Sequence, residues 1–287
     1  DEKNKKFKLE SLIKKISYKE YEAESLAANI HTLNDSLLVT ASFSKLSSQK
    51  FKLNNSKIHT SVINNSFHLK SSAMMDTVPL FQINSKGILY KDTIVSIELL
   101  PSWVTFAGKK WHSDPFNSVN LSYSVIDINN IVFSNNNQQI SINGTVSDNL
   151  NEQINFELIN FNLENLNKIF ELDTSSSLGG IANGNLDFSG LKINPQFNGD
   201  FYVENLSISS NPLGDGNLHL NWSKNDGKLF LNSGIKYEDI TTFFLDGFYS
   251  LAGKNLDFDF KLSPVPIKAF DKILSPYVSD LSGNFSS

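Results

Sequence analysis

Apolar and polar residues alternate strictly along several stretches of this chain. The clearest runs are Ile140 to Val146, Leu218 to Trp222 and Leu256 to Leu262. Because successive side chains of a β-strand point to opposite faces, each class of residue occupies its own face of a pleated strand. The pattern recurs from about Leu37 to the end of the chain. It predicts a sheet with one apolar face and one face coated with Asn and Ser.

Short connections separate these predicted strands, and many contain Asn, Ser or Gly, as at 54–56 and 84–87. Parallel pairing needs crossovers of about a dozen residues or more, so neighbouring strands must be mostly antiparallel. The opening segment from Phe7 to Ile30 fits a helical face as well as short strands, and we assign it to strand. The sequence therefore predicts an all-β, mainly antiparallel fold with a long open sheet.

Two short helices are predicted to interrupt the strands, at Leu163 to Leu172 and at Ile267 to Leu274. Each follows an alternating strand and precedes a strand that opens with Gly, so a unit of strand, helix and strand recurs. Such repetition indicates a stacked architecture, with chance resemblance in an Asn-rich chain as the alternative. The helices could plug the apolar face or cover a sheet end, and the second interpretation is favoured.

Glycine and proline punctuate the region after the first predicted helix. Gly184 to Leu191 reads GNLDFSGL, and it is followed by NPQFNGDFYV from Asn194 and NLSI from Asn205. This arrangement resembles the recurring unit of TamB-like proteins, which belong with the AsmA-like group of bacterial envelope proteins. The block formed by Trp111 and Val119 to Ile142 also resembles the strand arrangement of that family.

The resemblance covers residues 103–287, and residues 1–102 form a strand-rich part that is compatible with it. It implies that residues 1–287 are a single elongated segment of a longer chain, folded into a U-shaped hydrophobic β-trough. Proteins of this kind are anchored in the inner membrane, cross the periplasm and meet an Omp85-type, TamA-like outer-membrane protein. They are implicated in moving phospholipid between the two membranes or in assisting outer-membrane protein assembly. The membrane anchor is expected to lie outside this segment.

A sheet with one apolar face must cover that face with helices, a second sheet or a ligand, and this chain offers too little helix. In a trough, the side chains expected to line the groove for phospholipid acyl chains are Ile142, Phe156, Leu158, Leu186, Phe188, Phe201, Val203, Leu220, Trp222, Leu229, Leu231, Leu245, Phe258 and Phe260. In a closed sandwich the same side chains are ordinary core, which is the commoner role for any single residue. The hypothesis therefore concerns the continuous apolar row.

Composition argues against several function classes. The 287 residues carry a net charge of −5, and all 25 basic residues are Lys. Because Arg supplies the bidentate contacts that read guanine and grip phosphate, nucleic acid is not an expected partner. There is no Cys, which excludes thiolate metal sites and cysteine nucleophiles. No apolar run approaches the roughly 20 residues of a membrane-spanning helix.

Recognisable catalytic motifs are missing from the sequence. Residues 179–184 have the outer spacing of a phosphate loop, but Asn185 and Leu186 replace its Lys and its Ser or Thr. The five His are scattered without a metal-ligand spacing. Asp257 and Asp259 share the solvated face of a strand, and residues 111–114 are interpreted as an ordinary turn. We therefore expect neither enzyme activity nor a metal or cofactor.

Three functions are compatible with these observations. A lipid-conducting trough predicts co-purifying phospholipid, whereas a structural or adhesive β-sandwich of the cell surface predicts closed, dry cores. A polysaccharide-acting enzyme needs clustered carboxylates beside exposed Trp or Tyr, and the three Trp residues are far apart in the sequence. The lipid-conducting trough is the favoured interpretation.

Overall fold

The structure of the chain is a computed structural model. The residues that it describes are 6–33, 35–48, 52–90, 94–174, 176–223, 227–238, 240–250, 253–263, 265–266 and 284–285. The chain divides into two compact units, Asp1–Asn135 (unit 1) and Asn136–Ser287 (unit 2). Both are built almost entirely from antiparallel strands, so the predicted all-β fold is confirmed.

The sheet of unit 1 is a meander of long hairpins followed by shorter strands. Its strands are β1 (Lys8–Tyr18), β2 (Tyr21–Leu33), β3 (Ser36–Ser47), β4 (Lys52–Ile63), β5 (Ser66–Met75), β6 (Val78–Tyr90), β7 (Ile94–Leu99), β8 (Trp103–Phe106), β9 (Lys109–Ser113), β10 (Ser118–Leu121) and β11 (Ile126–Asn135). Strands β1 to β7 pair in chain order. The ambiguous opening segment forms β1 and β2, so its assignment to strand is confirmed.

Strand β6 pairs with two strands, and this divides the sheet of unit 1 into two arms. Residues 85–90 of β6 pair with β7, which pairs with β10. Residues 81–82 of β6 pair with β8, which pairs with β9. The arms meet again at β11, which pairs with both β10 and β9. The connection 100–102 runs beside this branch, where buried Ser102 accepts a hydrogen bond from the Asn84 backbone N–H at 2.8 Å.

Buried apolar side chains of unit 1 gather at this branch. The side chain of Trp111 on β9 is only 1% exposed, and its ring packs edge-on against Phe106 with 5.9 Å between centroids. Val132 on β11 and Ala73 on β5 are also buried. Ala73 and Trp111 lie on one side of the sheet, in a cross-strand row with Phe81 and Val104, and this row forms a locally buried part of unit 1.

Unit 2 is a longer uninterrupted meander. Its elements are β12 (Gln138–Val146), β13 (Gln153–Asn162), α1 (Glu164–Ile169), β14 (Leu178–Ser189), β15 (Gln196–Ile208), β16 (Asn211–Ser223), β17 (Lys228–Tyr237), β18 (Ile240–Ser250), β19 (Asn255–Leu262), β20 (Val265–Pro266) and β21 (Asn284–Phe285). Strands β12 to β19 pair antiparallel in chain order, and β20 pairs with β21. Every long strand of unit 2 therefore has sequence neighbours as its hydrogen-bonding partners.

A line of bulges crosses the sheet of unit 2. The pairing register shifts at residues 158–161 of β13, at 179–181 of β14 and at 203–206 of β15. These shifts lie at neighbouring positions in adjacent strands. Because a bulge bends its strand and increases the local twist, a line of them bends the sheet at one level.

Three turns predicted from sequence are wrong. Residues 84–87 lie inside β6, residues 111–113 belong to β9, and residues 54–56 lie inside β4. Asn, Ser and Gly favour turns, but here the strands on both sides continue the hydrogen-bond ladder past them. At Asn55 the chain adopts a φ of 48° and the pairing register shifts, so the turn-forming residues produce a bulge instead of a reversal.

Helix α1 lies within the first predicted helix and connects β13 to β14. The second predicted helix, Ile267 to Leu274, lies outside the described residues. The buried side chain of Asn165 in α1 donates a hydrogen bond to Gln138 Oε1 at the start of β12, at 2.9 Å. Asn167 donates to the Leu178 carbonyl at 2.9 Å and accepts from its N–H at 2.7 Å. These bonds fasten α1 at the end of the sheet.

Candidate functional site

Residues paired across antiparallel strands point to the same side of the sheet, and in unit 2 they form rows that cross it. The first row is Ile154, Phe188, Phe197, Trp222, Leu229, Tyr249 and Leu256. The second row is Ile142, Phe156, Leu186, Gly199, Leu220, Leu231, Gly247 and Phe258. The third row is Ile140, Leu158, Gly184, Phe201, Leu218, Ser233, Leu245 and Phe260. The fourth row is Phe161, Ala182, Val203, Gly216, Ile235, Phe243 and Leu262.

These four rows define the apolar face of unit 2. All fourteen residues expected from the sequence to line a groove belong to them, so the strand register brings the whole set to one side of the sheet. The alternation of apolar and polar residues carries this result, because it fixes which side of each strand a residue occupies.

The fourteen side chains are not enclosed. Thirteen of them are half-buried, and Phe260 is 60% exposed. A closed sandwich would bury the inner faces of both its sheets, as a packed protein interior does. Most of the apolar face of unit 2 instead keeps partial contact with solvent, although Ile154, Phe161 and Ala182 in its rows are buried.

Several aromatic rings lie along their own sheet. Phe197 stacks on Trp222 with 6.4 Å between centroids and contacts Phe188 at 6.0 Å. Phe201 packs over Gly184, where an added Cβ would lie 2.6 Å from Phe201 Cδ1. Glycine at that position therefore lets the Phe201 ring lie against the backbone of the sheet.

Sequence reasoning missed part of the apolar face. Ile140, Phe197, Leu218, Ile235 and Phe243 lie in the same rows as the predicted residues. The signal was available, because each of them is an even number of positions from a predicted lining residue in the same strand.

The opposite face of unit 2 is polar and is joined by hydrogen bonds between strands. The Asn155 amide donates to Asp187 at 2.7 Å, and the Asn232 amide donates to Asp246 at 2.9 Å. Phe230 and Phe248 interrupt this face with an aromatic pair whose centroids lie 5.8 Å apart. Sequence reasoning did not single out that pair.

The titratable groups on the polar face serve hydrogen bonding. The Tyr202 hydroxyl donates to Asp215 at 3.1 Å, and this bond, aided by desolvation, raises the pKa of Tyr202 above its usual value. The phenol therefore stays protonated near neutral pH. Among the described residues, no group of three or more His, Asp or Glu is arranged to hold a metal ion.

In the part of the chain that the structure describes, no helix has the length and apolar character needed to span a bilayer. No family model, curated protein or solved structure matches this chain.

Proposed function

We propose that this chain is a segment of a lipid-conducting trough of the bacterial envelope. In this proposal the apolar face of unit 2 shields phospholipid acyl chains from water while they move between the inner and outer membranes. The segment lies in the periplasm and is anchored in the inner membrane by a part of the protein outside it. Its expected partner at the outer membrane is an Omp85-type, TamA-like protein.

The half-buried apolar face carries the proposal. A continuous apolar surface that stays wet is unfavourable in a monomeric soluble protein, and extensive exposed patches mark binding sites for other molecules or for membranes. Covering it with an acyl chain removes apolar area from water, at up to about 0.8 kcal/mol for each buried methylene. The rows repeat similar side chains from strand to strand, so we expect no single position to bind the acyl chain much more tightly than its neighbours.

The sheet geometry also supports a trough. Bulges are the usual means by which a sheet acquires curvature, and a line of them crosses β13, β14 and β15. Helix α1 is held at the ends of strands, beside Gln138 of β12 and Leu178 of β14. The proposed acyl-chain path runs along the rows and therefore across the strands.

Photo-crosslinking in living cells tests the proposal. A photoreactive amino acid replaces Phe188, Phe201 or Phe258 on the apolar face, and the adducts are identified by mass spectrometry. Phospholipid adducts are expected at all three positions, because their side chains belong to successive rows.

Adjacent residues provide matched controls. Asp187, Asp200 and Asp257 lie on the same strands as the three Phe residues but face the other side of the sheet. The same photoreactive group at these positions is expected to give no phospholipid adducts. Equal labelling of both faces, or no lipid on either, would rule out the trough.

Assistance in outer-membrane protein assembly is the second candidate, and the edge strand β19 favours it. Among the described residues β19 pairs with β18 over residues 255–262, and its Leu256 and Phe260 are 68% and 60% exposed. An exposed strand edge with apolar side chains can bind an unfolded strand by adding it to the sheet. Crosslinks from Phe258 to outer-membrane proteins, without lipid adducts at any position, would support this candidate over lipid transfer.

A further inference from the structure

Unit 1 carries a concavity on the polar side of its sheet, opposite its apolar residues. It has a volume of about 530 Å³ and lies over β4, β5 and β6. His59, Lys70 and Asn84 form one cross-strand row on its floor, and Lys57, Ser72 and Gln82 form the next.

One wall of the concavity is the connection that follows β7, where Leu100 and Pro101 lie. Asn84 fixes this wall, because its side-chain amide donates to the Pro101 carbonyl at 2.7 Å. Ser102 Oγ donates to the Leu100 carbonyl at 2.7 Å. The branch in the sheet of unit 1 therefore shapes the concavity, and these two hydrogen bonds hold its wall in place.

The lining is cationic and carries no carboxylate. Lys70 lies directly across from His59 in the cross-strand pairing of β4 and β5. Among the described residues, neither Lys57 nor Lys70 forms an ion pair, in contrast to Lys45 with Glu24 at 3.0 Å. The charge of this concavity is therefore not balanced by the described protein groups that line it.

We propose that this concavity binds a phosphomonoester. Such a group carries a charge of about −1.5 to −2 at neutral pH and three acceptor oxygens, which match two ammonium groups and a set of neutral donors. The Lys57 and Lys70 ammonium groups contact the phosphate, and the amide of Gln82 and the hydroxyl of Ser72 donate to it or to the group that it esterifies. The volume lies within the range of small-molecule sites, so it admits more than the phosphate alone.

This site goes beyond the proposed lipid trough, since it lies in unit 1 on the side of its sheet away from the apolar rows. Its ligand could be a free phosphomonoester or the headgroup of phosphatidic acid. The two sources share the same chemistry, and vesicle binding distinguishes them.

Isothermal titration calorimetry with glycerol 3-phosphate, at low ionic strength, is the first measurement. The double variant Lys57→Gln/Lys70→Gln removes both charges of the concavity, and its binding is expected to weaken about tenfold or more because two charge-assisted contacts are lost. The control variant Lys45→Gln/Lys86→Gln also removes two positive charges from unit 1. In the native chain these two lysines pair with Glu24 and Glu98 outside the concavity. The affinity of this control for glycerol 3-phosphate is therefore expected to stay within about twofold of the native value, because only the net charge of the unit changes.

Sedimentation with phosphatidylcholine vesicles, with and without phosphatidic acid, is the second measurement. Loss of binding in Lys57→Gln/Lys70→Gln but not in the control supports the site. Binding of glycerol 3-phosphate identifies the ligand as a free phosphomonoester, whereas binding only to vesicles that contain phosphatidic acid identifies it as a lipid headgroup. Absence of binding to both probes overturns the proposal. Equal losses in both variants also overturn it, because they reflect net charge. Neither result bears on crosslinking from the apolar face of unit 2, so the two proposals fail separately.

Discussion

The apolar rows of unit 2 consist mostly of large side chains, with Gly, Ala and one Ser between them, whereas some rows in the sheet of unit 1 alternate between large residues and Thr or Ser. One row of unit 1, for example, is Ile30, Val39, Thr60, Leu69, Ser85 and Leu99. Unit 1 also has a local core around Trp111, which is 1% exposed, while Trp222 of unit 2 is half-buried. Each unit thus has buried apolar residues, such as Phe161 and Ala182 in unit 2, while most of the apolar face of unit 2 is half-buried.

The polar faces differ in charge as well. Strands β4 to β6 present Lys57, Lys70 and Lys86, while in unit 2 the polar face presents Asp187 and Asp200 in adjacent strands. Both units are built from antiparallel strand pairs, so we expect their side chains to determine most of what each unit can bind. Four experiments test the packing, binding and charge of the two units.

The largest expected effect comes from removing the two tryptophans in turn. Trp111→Ala creates a cavity in the closed core of unit 1, and its free energy of unfolding should fall by about 3 to 5 kcal/mol. Trp222→Ala removes a half-buried ring, so the expected loss is smaller, about 1 to 2 kcal/mol. Urea denaturation of both variants measures the difference. Equal losses would mean that the two rings are equally enclosed, contrary to the structure.

A glycine substitution tests the flat packing of rings on the apolar face. In Gly184→Ala the new methyl group meets Phe201 and the Asp200 carbonyl, and the free energy of unfolding should fall by roughly 1 to 3 kcal/mol. In Gly216→Ala on the same face the nearest atom is 3.5 Å away, an ordinary contact, so stability should be unchanged or slightly higher. Thermal denaturation compares the two. A neutral Gly184→Ala would show that the Phe201 ring moves freely off the sheet.

Binding of a fluorescent fatty acid compares the two apolar faces. Leu220→Asn interrupts the second row of unit 2, and affinity should fall roughly three- to tenfold because several buried methylenes lose their apolar neighbour. Thr60→Asn replaces a residue that already interrupts a row of unit 1, so affinity should be unchanged. Equal effects at both positions would place the fatty acid outside the apolar face of unit 2.

The smallest effect is expected at the edge of unit 1. A hydrogen bond from Lys15, together with its positive charge, lowers the pKa of Glu22, and the same pair raises the pKa of Lys15. The pair therefore stabilises unit 1 fully between the unfolded-state pKa values of Glu22 and Lys15, and the contribution is lost as pH falls through the folded pKa of Glu22 or rises through that of Lys15. In Lys15→Gln, an NMR titration should show the pKa of Glu22 rising towards its ordinary value. An unchanged pKa would mean that the ion pair, whose atoms lie 2.9 Å apart here, does not persist in solution.

Much of the fold follows from the alternation of residues in the sequence. Alternation predicted the strands and the common side of the fourteen residues expected to line a groove, because strand side chains have a period of two. The short connections predicted the antiparallel meander, because parallel pairing needs longer crossovers. It failed at residues 84–87, where Asn, Ser and Gly favour a turn but cross-strand pairing extends the strand.

Other features depend on contacts that the sequence alone does not specify. The branch at β6 joins residues 81–82 to β8 through long-range pairing, and no local pattern predicts which strand they choose. The concavity near Lys70 was missed for the same reason, since Lys57, Lys70 and Gln82 are brought together only by the register of three strands. The identity of a ligand for the apolar face stays a prediction.

The chain-order pairing of β12 to β19 has a mechanical consequence. Each strand is held by sequence neighbours, so a force that separates the two ends of this meander loads one row of hydrogen bonds at a time. Force spectroscopy on unit 2 should therefore record a series of small rips as successive hairpins peel away, instead of a single high-force rupture. A sheet built in this way would yield under tension and could re-form by adding one hairpin after another.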